Sequence, residues 1–371
     1  MKKRVVIVGF GDTGLLVAIH LGQGFEVVAI STKPCWISGQ ELGTRLTQPS
    51  VWKQNYLEDY DRFTKLDGVR ILHGHVVAVN ATAQWVDVAL SNGESLREAY
   101  DALVIATGVT NGFWRNDTLE DIDTVQRQLA ERALSIERAH TVAIVGGGAT
   151  GTSVAANVKE RFPETSVHLF YSQDRPLPSY HPQVRQVVER RLRGRGVQLH
   201  PGHRANIPVG FRGDDLTTGP VTWSTGQPAF SADLTLWAVG QVRPNSGFLP
   251  PEMLDDRGFV KTDPYLRVQG TQRIFAVGDI AATDKHRSSA RNWGFRVVAY
   301  NLRATLRGRA TLRKYRAPPY RWGSILGVER DGLRVFQPNG GHFRFPHWVV
   351  RRLLFPIVVR QFIYRGIRPS K

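Results

Sequence analysis

The sequence predicts an α/β protein made of two Rossmann-like dinucleotide-binding domains and a small basic C-terminal region, and three observations carry that prediction. Val5-Val6-Ile7-Val8-Gly9-Phe10-Gly11-Asp12-Thr13-Gly14 is an apolar run that enters G-x-G-x-x-G, and Val142-Ala143-Ile144-Val145-Gly146-Gly147-Gly148-Ala149-Thr150-Gly151 repeats it. Each motif stands between a buried-strand signal and an apolar helical pattern, the context that makes a weak glycine signature usable. The charge is lopsided: residues 284–371 hold 20 Lys/Arg and 3 Asp/Glu, while the first 283 residues hold 29 of each sign. In each motif the first glycine permits a tight turn, the second lets backbone approach a pyrophosphate, and the third lets helix pack on sheet. The helix N-terminus then faces the phosphates with free N–H groups.

At 371 residues and 42% hydrophobic content the chain is long enough for two or three domains with a sizeable core. Its net charge of +17 directs the search for an acidic partner to the last quarter, where anionic lipid, nucleic acid or an acidic protein would qualify. Cys35 is the one cysteine, so the chain has neither an internal disulfide nor a redox-active cysteine pair, which suits a reducing compartment. The basic start followed by an apolar run imitates a signal peptide, but that run stops at the glycine turn, so it reads as mature sequence. The expected location is the cytoplasm, peripheral on the cytosolic face of a membrane.

In order along the chain, residues 5–8 read as a buried parallel strand, 14–21 as the crossover helix, Gly22-Gln23-Gly24 as its stop, and 26–30 as the next strand. In such a unit an acidic residue about 20 positions past the glycines holds the adenosine ribose, yet Ser31 stands there. A serine can bond a hydroxyl more weakly than a charged acceptor, by on the order of 1 kcal/mol. Residues 36–65 read as loop and short helix near a ligand. Residues 69–79 and 85–90 alternate as strands. His73 and His75 lie on the first of these without a thiol or carboxylate at ligand spacing, so they read as two strand histidines and no metal is expected.

Residues 101–108 form an apolar strand that runs into a small-residue turn, where the chain can cross close to a bound dinucleotide. A helix is expected over 119–135. In the second unit 152–161 read as helix and 166–171 as strand, ending at Tyr171-Ser172-Gln173 where an acidic side chain would favour NADH. Arg175 is placed to meet a 2′-phosphate and Asp174 to oppose one, so NADH and NADPH both stay open. Residues 234–240 repeat the strand-to-small-turn pattern, and Gly278-Asp279 closes another strand with a carboxylate that can hold polyol hydroxyls. Residues 287–307 read as helix, and 324–336 and Pro338-Asn339-Gly340-Gly341 as hairpin turns.

The tail, 342–371, has seven Arg/Lys and no Asp or Glu, interleaved with Phe343, Phe345, Trp348, Phe355, Phe362 and Tyr364. Its longest uncharged run, 353–359, is far short of the ~20 residues that span a bilayer. Aromatic and aliphatic residues among arginines suit an anionic lipid interface. Pro356 is expected to break the segment into two short helices, and both dinucleotide-binding cores should be complete without it. The alternative is a tail that packs on its own domains or forms a homodimer.

Together and in this order, the motifs of residues 1–310 resemble the two-dinucleotide-binding-domain flavoproteins, closest to type II NADH dehydrogenases and apoptosis-inducing-factor-like quinone reductases. The resemblance implies FAD on Gly9, Gly11 and Gly14, with Val76 near the adenine, Thr107 and Gly108 near the cofactor, and Gly278 and Asp279 at the ribityl and phosphate. It implies NAD(P)H on Gly146, Gly148 and Gly151, with Gly240 lining that site; Ser31, Ser172 and Arg175 complete the two sets. A helix from Arg287-Ser288-Ser289 would aim its N-terminus at the flavin, with Ser288 among the contacts. The implied domains are 1–112 with 253–312 for FAD, 113–252 for NAD(P)H, and 313–371 as basic hairpin and membrane-interface segment. Members commonly carry a glutamate two residues past the third glycine of the second motif, where this chain has Ser153. No side chain is therefore expected as an essential acid or base.

The expected function is hydride transfer from NAD(P)H to flavin and then two electrons to a quinone. One alternative is a reductase of an acidic electron carrier such as a ferredoxin or rubredoxin, docked on the basic quarter. A second is a basic lipid- or nucleic-acid-binding protein with structural FAD. Nucleic acid is disfavoured, because the tail aromatics sit among long aliphatic runs and not on a base-stacking platform.

Overall fold

The computed structural model describes residues 2–283, 286–287 and 292–369. Two parallel sheets organise it. The first runs in the order Ile274–Ala276, Ala102–Ile105, Arg4–Val8, Glu26–Ser31, Arg70–Asn80, Trp85–Leu90, Ser95–Ala99, the last two joining as antiparallel hairpin strands. The second runs Gln198–His200, Ser166–Phe170, Thr141–Val145, Leu234–Trp237, Leu216–Thr217. Val5 to Val8 are buried on both faces between parallel neighbours, as the unbroken apolar run dictates. Ile274–Ala276 pairs in parallel with Ala102–Ile105, so the chain leaves the first sheet, builds the second, and returns. A two-residue ribbon, Val109–Thr110 against Arg243–Pro244, joins the outgoing and returning paths.

Helix Asp12–Leu21 packs against helix Gly294–Leu306 through Leu15, Leu16, Ile19, Phe295, Val298 and Leu302, all buried. Of the helix expected over 287–307, residues 288–291 lie outside the described residues; the described helix is Gly294–Leu306, and the Asn292 side chain accepts the Gly294 N–H at 2.8 Å at its start. The helix expected over 119–135 is Ile122–Arg138, started by Asp121, whose carboxylate accepts the Thr124 N–H at 2.6 Å. Residues 36–58 hold a strand pair, Trp36–Ile37 with Leu57–Glu58, around helices Leu42–Thr47 and Pro49–Tyr56.

The C-terminal region opens with an antiparallel sheet of Val328–Glu329, Gly332–Phe336 and His342–Phe345. Pro356 does not divide the tail: a wide-turn π-helix continues from Val350 to Ile363 with the proline inside. A tight α-turn would drive the ring into the carbonyl four residues back, and the wider turn relieves that clash.

The tail also completes the first core, contrary to expectation. Tyr364 is fully buried against Trp36 and Phe63, with ring centroids 5.1 and 5.6 Å away, and Ile367 is buried beside them. The Thr64 N–H donates to the Gly366 carbonyl at 3.1 Å, Arg368 pairs with Asp67 at 2.6 Å, and Arg360 pairs with the buried Glu58. Other tail side chains face outward: Trp348, Leu353, Ile357, Val358 and Phe362 are exposed, as are Arg351 and Arg352. Among the described residues no helix is long and apolar enough to cross a membrane.

Candidate functional site

The two glycine motifs fold alike. Gly9 and Gly146 take positive φ of 88° and 124°, and a Cβ on either would collide with the neighbouring strand end, Ala106–Thr107 or Ala238. Gly14 and Gly151 stand so close to the Gly9 and Gly146 carbonyl oxygens that a Cβ would overlap them. Gly11 and Gly148 cap their helices in extended conformation, and apart from their chain neighbours no atom of the described residues lies within 4 Å of where their Cβ would be. The space above the second glycine is therefore open, which fits a pyrophosphate lying on the helix N-terminus.

Above the first motif lies a long cleft. Gly9, Gly11, Ser31, Val76, Thr107, Gly108, Gly278 and Asp279 all line it, while Gly14 lies behind, packing helix on sheet. Ser288 falls outside the described residues. Thr107 Oγ1 donates to the Asn245 carbonyl at 2.7 Å, and Asn245 Nδ2 donates back to the Thr107 carbonyl at 3.1 Å, so the small-residue turn is fixed by the returning chain. The cleft also gathers residues the sequence did not single out. Arg115 holds the Asp279 carboxylate at 2.6 Å, and Asp12, Lys33, Arg45, Tyr60 and Glu120 line the walls. Lys33, two residues beyond the ribose position, was within reach of a motif-centred reading; Arg115 and Glu120 come from a loop with no periodic signal.

Ser31 is less free than its sequence position implies. Tyr60 Oη donates to the Phe10 carbonyl at 3.1 Å, so in the 3.0 Å contact with Ser31 the serine must donate, and Ser31 Oγ accepts the Lys33 N–H at 3.1 Å. Its single proton is thus committed. Burial pushes the Tyr60 hydroxyl well above the ordinary phenol range, so it stays neutral.

At the second motif Ser172 is exposed, Gly240 abuts Asp214, and Arg175 and Asp174 each pair with helix Pro182–Gly194, through Glu189 at 3.5 Å and Arg185 at 3.1 Å. Ser153 is buried where helix Ala149–Arg161 meets helix Leu42–Thr47; a Cβ on Gly43 would lie 2.6 Å from the Ser153 carbonyl oxygen. At the start of that second helix Glu41 has left-handed backbone (φ 57°), and burial raises its carboxyl to about 7. A carboxyl raised in the folded state keeps its proton while the unfolded chain ionises, so stability falls as pH rises from about 4.5 to 7. Glu41→Gln is expected to raise the unfolding midpoint at pH 8 by about 2–4 °C and to leave it unchanged near pH 4; equal midpoints at both pH values would refute this.

A second cavity, of about 680 Å³, opens beside the first. Trp293, Tyr315, Pro318, Pro319, Trp322, Val335 and Phe343 wall it, and the two cavities share Asp279 and Asn292. Trp293 and Trp322 lie parallel within 12°, centroids 6.4 Å apart. Rings presented this way offer stacking faces to a flat aromatic molecule. Among the described residues no group of three or more His, Cys, Asp or Glu could hold a metal ion.

The family described as pyridine nucleotide-disulphide oxidoreductase matches residues 3–300. The chain is similar to ferroptosis suppressor protein 1 of Xenopus tropicalis, 26% identical over 347 residues that cover 90% of this chain and 88% of that protein. Its fold is similar to NDH2 from Plasmodium falciparum in complex with NADH, at a TM-score of 0.57 and 18% identity over 76% of this chain and 64% of that one. It is also similar to putidaredoxin reductase in its covalent complex with putidaredoxin, at 0.64 and 22% over 90% and 81%.

Proposed function

The chain belongs to the pyridine nucleotide-disulphide oxidoreductase family, and from that premise we propose that it passes reducing equivalents from NADH or NADPH through FAD to a quinone at a membrane surface. It is an FAD-dependent, NAD(P)-linked oxidoreductase with two Rossmann-like folds. FAD, when bound, supplies the hydride-accepting and electron-releasing chemistry. The chain's part is positioning. Gly9, Gly11 and Gly14 seat the pyrophosphate, Thr107 and Gly108 let backbone cross close to the cofactor, and Asp279, oriented by Arg115, accepts from polyol hydroxyls. Gly146, Gly148 and Gly151 seat the NAD(P)H pyrophosphate in the same manner, with Ser172, Arg175 and Gly240 around it. Sheet membership supports a flavin domain of 1–112 with 253–312 and a pyridine-nucleotide domain of 113–252.

The observation that carries the acceptor assignment is the aromatic cavity meeting the first cleft at Asp279 and Asn292. Its size and stacking faces suit a quinone ring, and the resemblance to type II NADH dehydrogenases and quinone reductases supports the same class. The outward tail face, apolar residues flanked by Arg351 and Arg352, supports docking on anionic lipid on the cytosolic side. Trp322→Ala is expected to lower kcat/KM for a short-chain quinone about tenfold while flavin reduction by NADH keeps its parental rate, as stopped-flow absorbance would read. An unchanged quinone rate would remove the cavity from the reaction.

A second reading has its own support. Arg296, Arg307, Arg313 and Arg316 are exposed, and the fold neighbour in complex with putidaredoxin is a reductase joined to a protein carrier. A carrier docked there would lose on-rate steeply with added salt, whereas turnover of a short-chain quinone would not.

A further inference from the structure

We propose that Glu120 supplies the carboxylate that accepts the adenosine-ribose hydroxyls of FAD, in place of the acidic residue that strand Glu26–Ser31 lacks at its end. The inference rests on the reading that FAD occupies the first cleft. Three observations lead to it.

The first is position. The Glu120 N–H donates to the Thr32 carbonyl at 3.2 Å, so Glu120 lies directly beside the residue that follows Ser31. Its side chain, 10% exposed, lines the cleft together with Ser31, Lys33, His75 and Val76. A carboxylate from a different part of the chain is thereby delivered to the wall where the strand end offers a hydroxyl. The second is valence. The ammonium of Lys33 has three protons, and all three have acceptors: Asn116 Oδ1 at 2.9 Å, the Thr118 carbonyl at 2.6 Å, and Glu120. Lys33 therefore compensates the buried charge of Glu120 and fastens its loop, with no proton left for a ligand.

The third is what remains open. One Glu120 oxygen takes Lys33 and the other takes the Gln128 amide at 3.3 Å, whereas a carboxylate offers about four acceptor directions. Among the described residues two directions are left, which is what a pair of vicinal hydroxyls requires. Ser31, its proton committed to Tyr60 and one lone pair to the Lys33 N–H, keeps a single neutral acceptor direction, too few for two hydroxyls. The consequence is that adenosine is recognised from the segment that leads into helix Ile122–Arg138, outside the first βαβ unit.

The test compares two ligands on flavin-stripped protein: FAD, and its analogue carrying 2′,3′-dideoxyadenosine, each titrated by quenching of flavin fluorescence. The parent protein is expected to bind FAD about tenfold more tightly than the analogue. Glu120→Gln should weaken FAD about tenfold, leave the analogue within twofold, and so erase the preference. Ser31→Ala should retain it. Equal weakening of both ligands by Glu120→Gln would mean that Glu120 merely anchors Lys33, and loss of the preference in Ser31→Ala would return the role to the serine; either overturns the proposal. A parent that binds both flavins equally also overturns it while leaving the oxidoreductase reading intact. A parent that binds neither overturns both.

Discussion

Gly151→Ala is expected to give a protein that stays yellow yet is no longer bleached by NADH or NADPH, and Gly14→Ala a protein purified without flavin. In each case the new methyl group falls on a backbone carbonyl oxygen, of Gly146 or Gly9, which no rotamer change can move aside. The helix must tilt off its sheet, and overpacking of this kind costs about 1–3 kcal/mol or more in the motif itself. Because the two collisions lie in separate sheets, each variant should damage one nucleotide site and spare the other. Loss of alignment at the phosphates should slow flavin reduction in Gly151→Ala on the order of a hundredfold, equivalent to about 2.7 kcal/mol. Gly11→Ala and Gly148→Ala form the contrast. Apart from chain neighbours, none of the described residues comes within 4 Å of their new methyl groups, so the unliganded proteins should melt like the parent while nucleotide affinity falls. Parental bleaching by NADH in Gly151→Ala would show that the second motif does not seat the donor.

The second large effect concerns the tail, where stability and surface attachment should separate by residue. Tyr364→Ala removes a fully buried ring packed on Trp36 and Phe63, and large aromatic truncations cost about 3–5 kcal/mol. The flavin should become easier to release on heating. Trp348→Ala with Phe362→Ala removes rings that are 61% and 72% exposed, so the melting profile should hold while binding to vesicles rich in anionic lipid drops severalfold. Arg351→Glu with Arg352→Glu should weaken anionic vesicles more than neutral ones. Arg360 is unsuitable for that comparison, because it pairs with the buried Glu58. If the Trp348 and Phe362 double variant melts early and binds vesicles normally, the outward face is a packing surface.

The parts that could be read in the chain were those with a local cause. Tight turns need glycine, buried parallel strands need unbroken apolar runs, and both recur twice here, so Gly9 to Gly14 and Gly146 to Gly151 could be placed without coordinates. The Ala102–Ile105 strand and Gly278-Asp279 followed from the same logic. What could not be read depended on distant partners. Tyr364 looks like one more interface aromatic until Trp36 and Phe63 surround it. Arg115 and Glu120 sit in a loop without periodicity and acquire meaning only beside Asp279 and Lys33.

The return of Ile274–Ala276 to the edge of the first sheet has a consequence for biosynthesis. The second sheet is assembled from one continuous stretch, residues 141–237, and can close as soon as that stretch has left the ribosome. The first sheet cannot: Ala102–Ile105 is made early, but its outer neighbour comes about 170 residues later, a delay of roughly 10–30 s at ordinary elongation rates. Through that interval the nascent chain carries an unpaired apolar strand edge and an open aromatic pocket awaiting Tyr364. Its chance of misassociation should therefore be set less by the stability of the finished protein than by how that early half is shielded during synthesis.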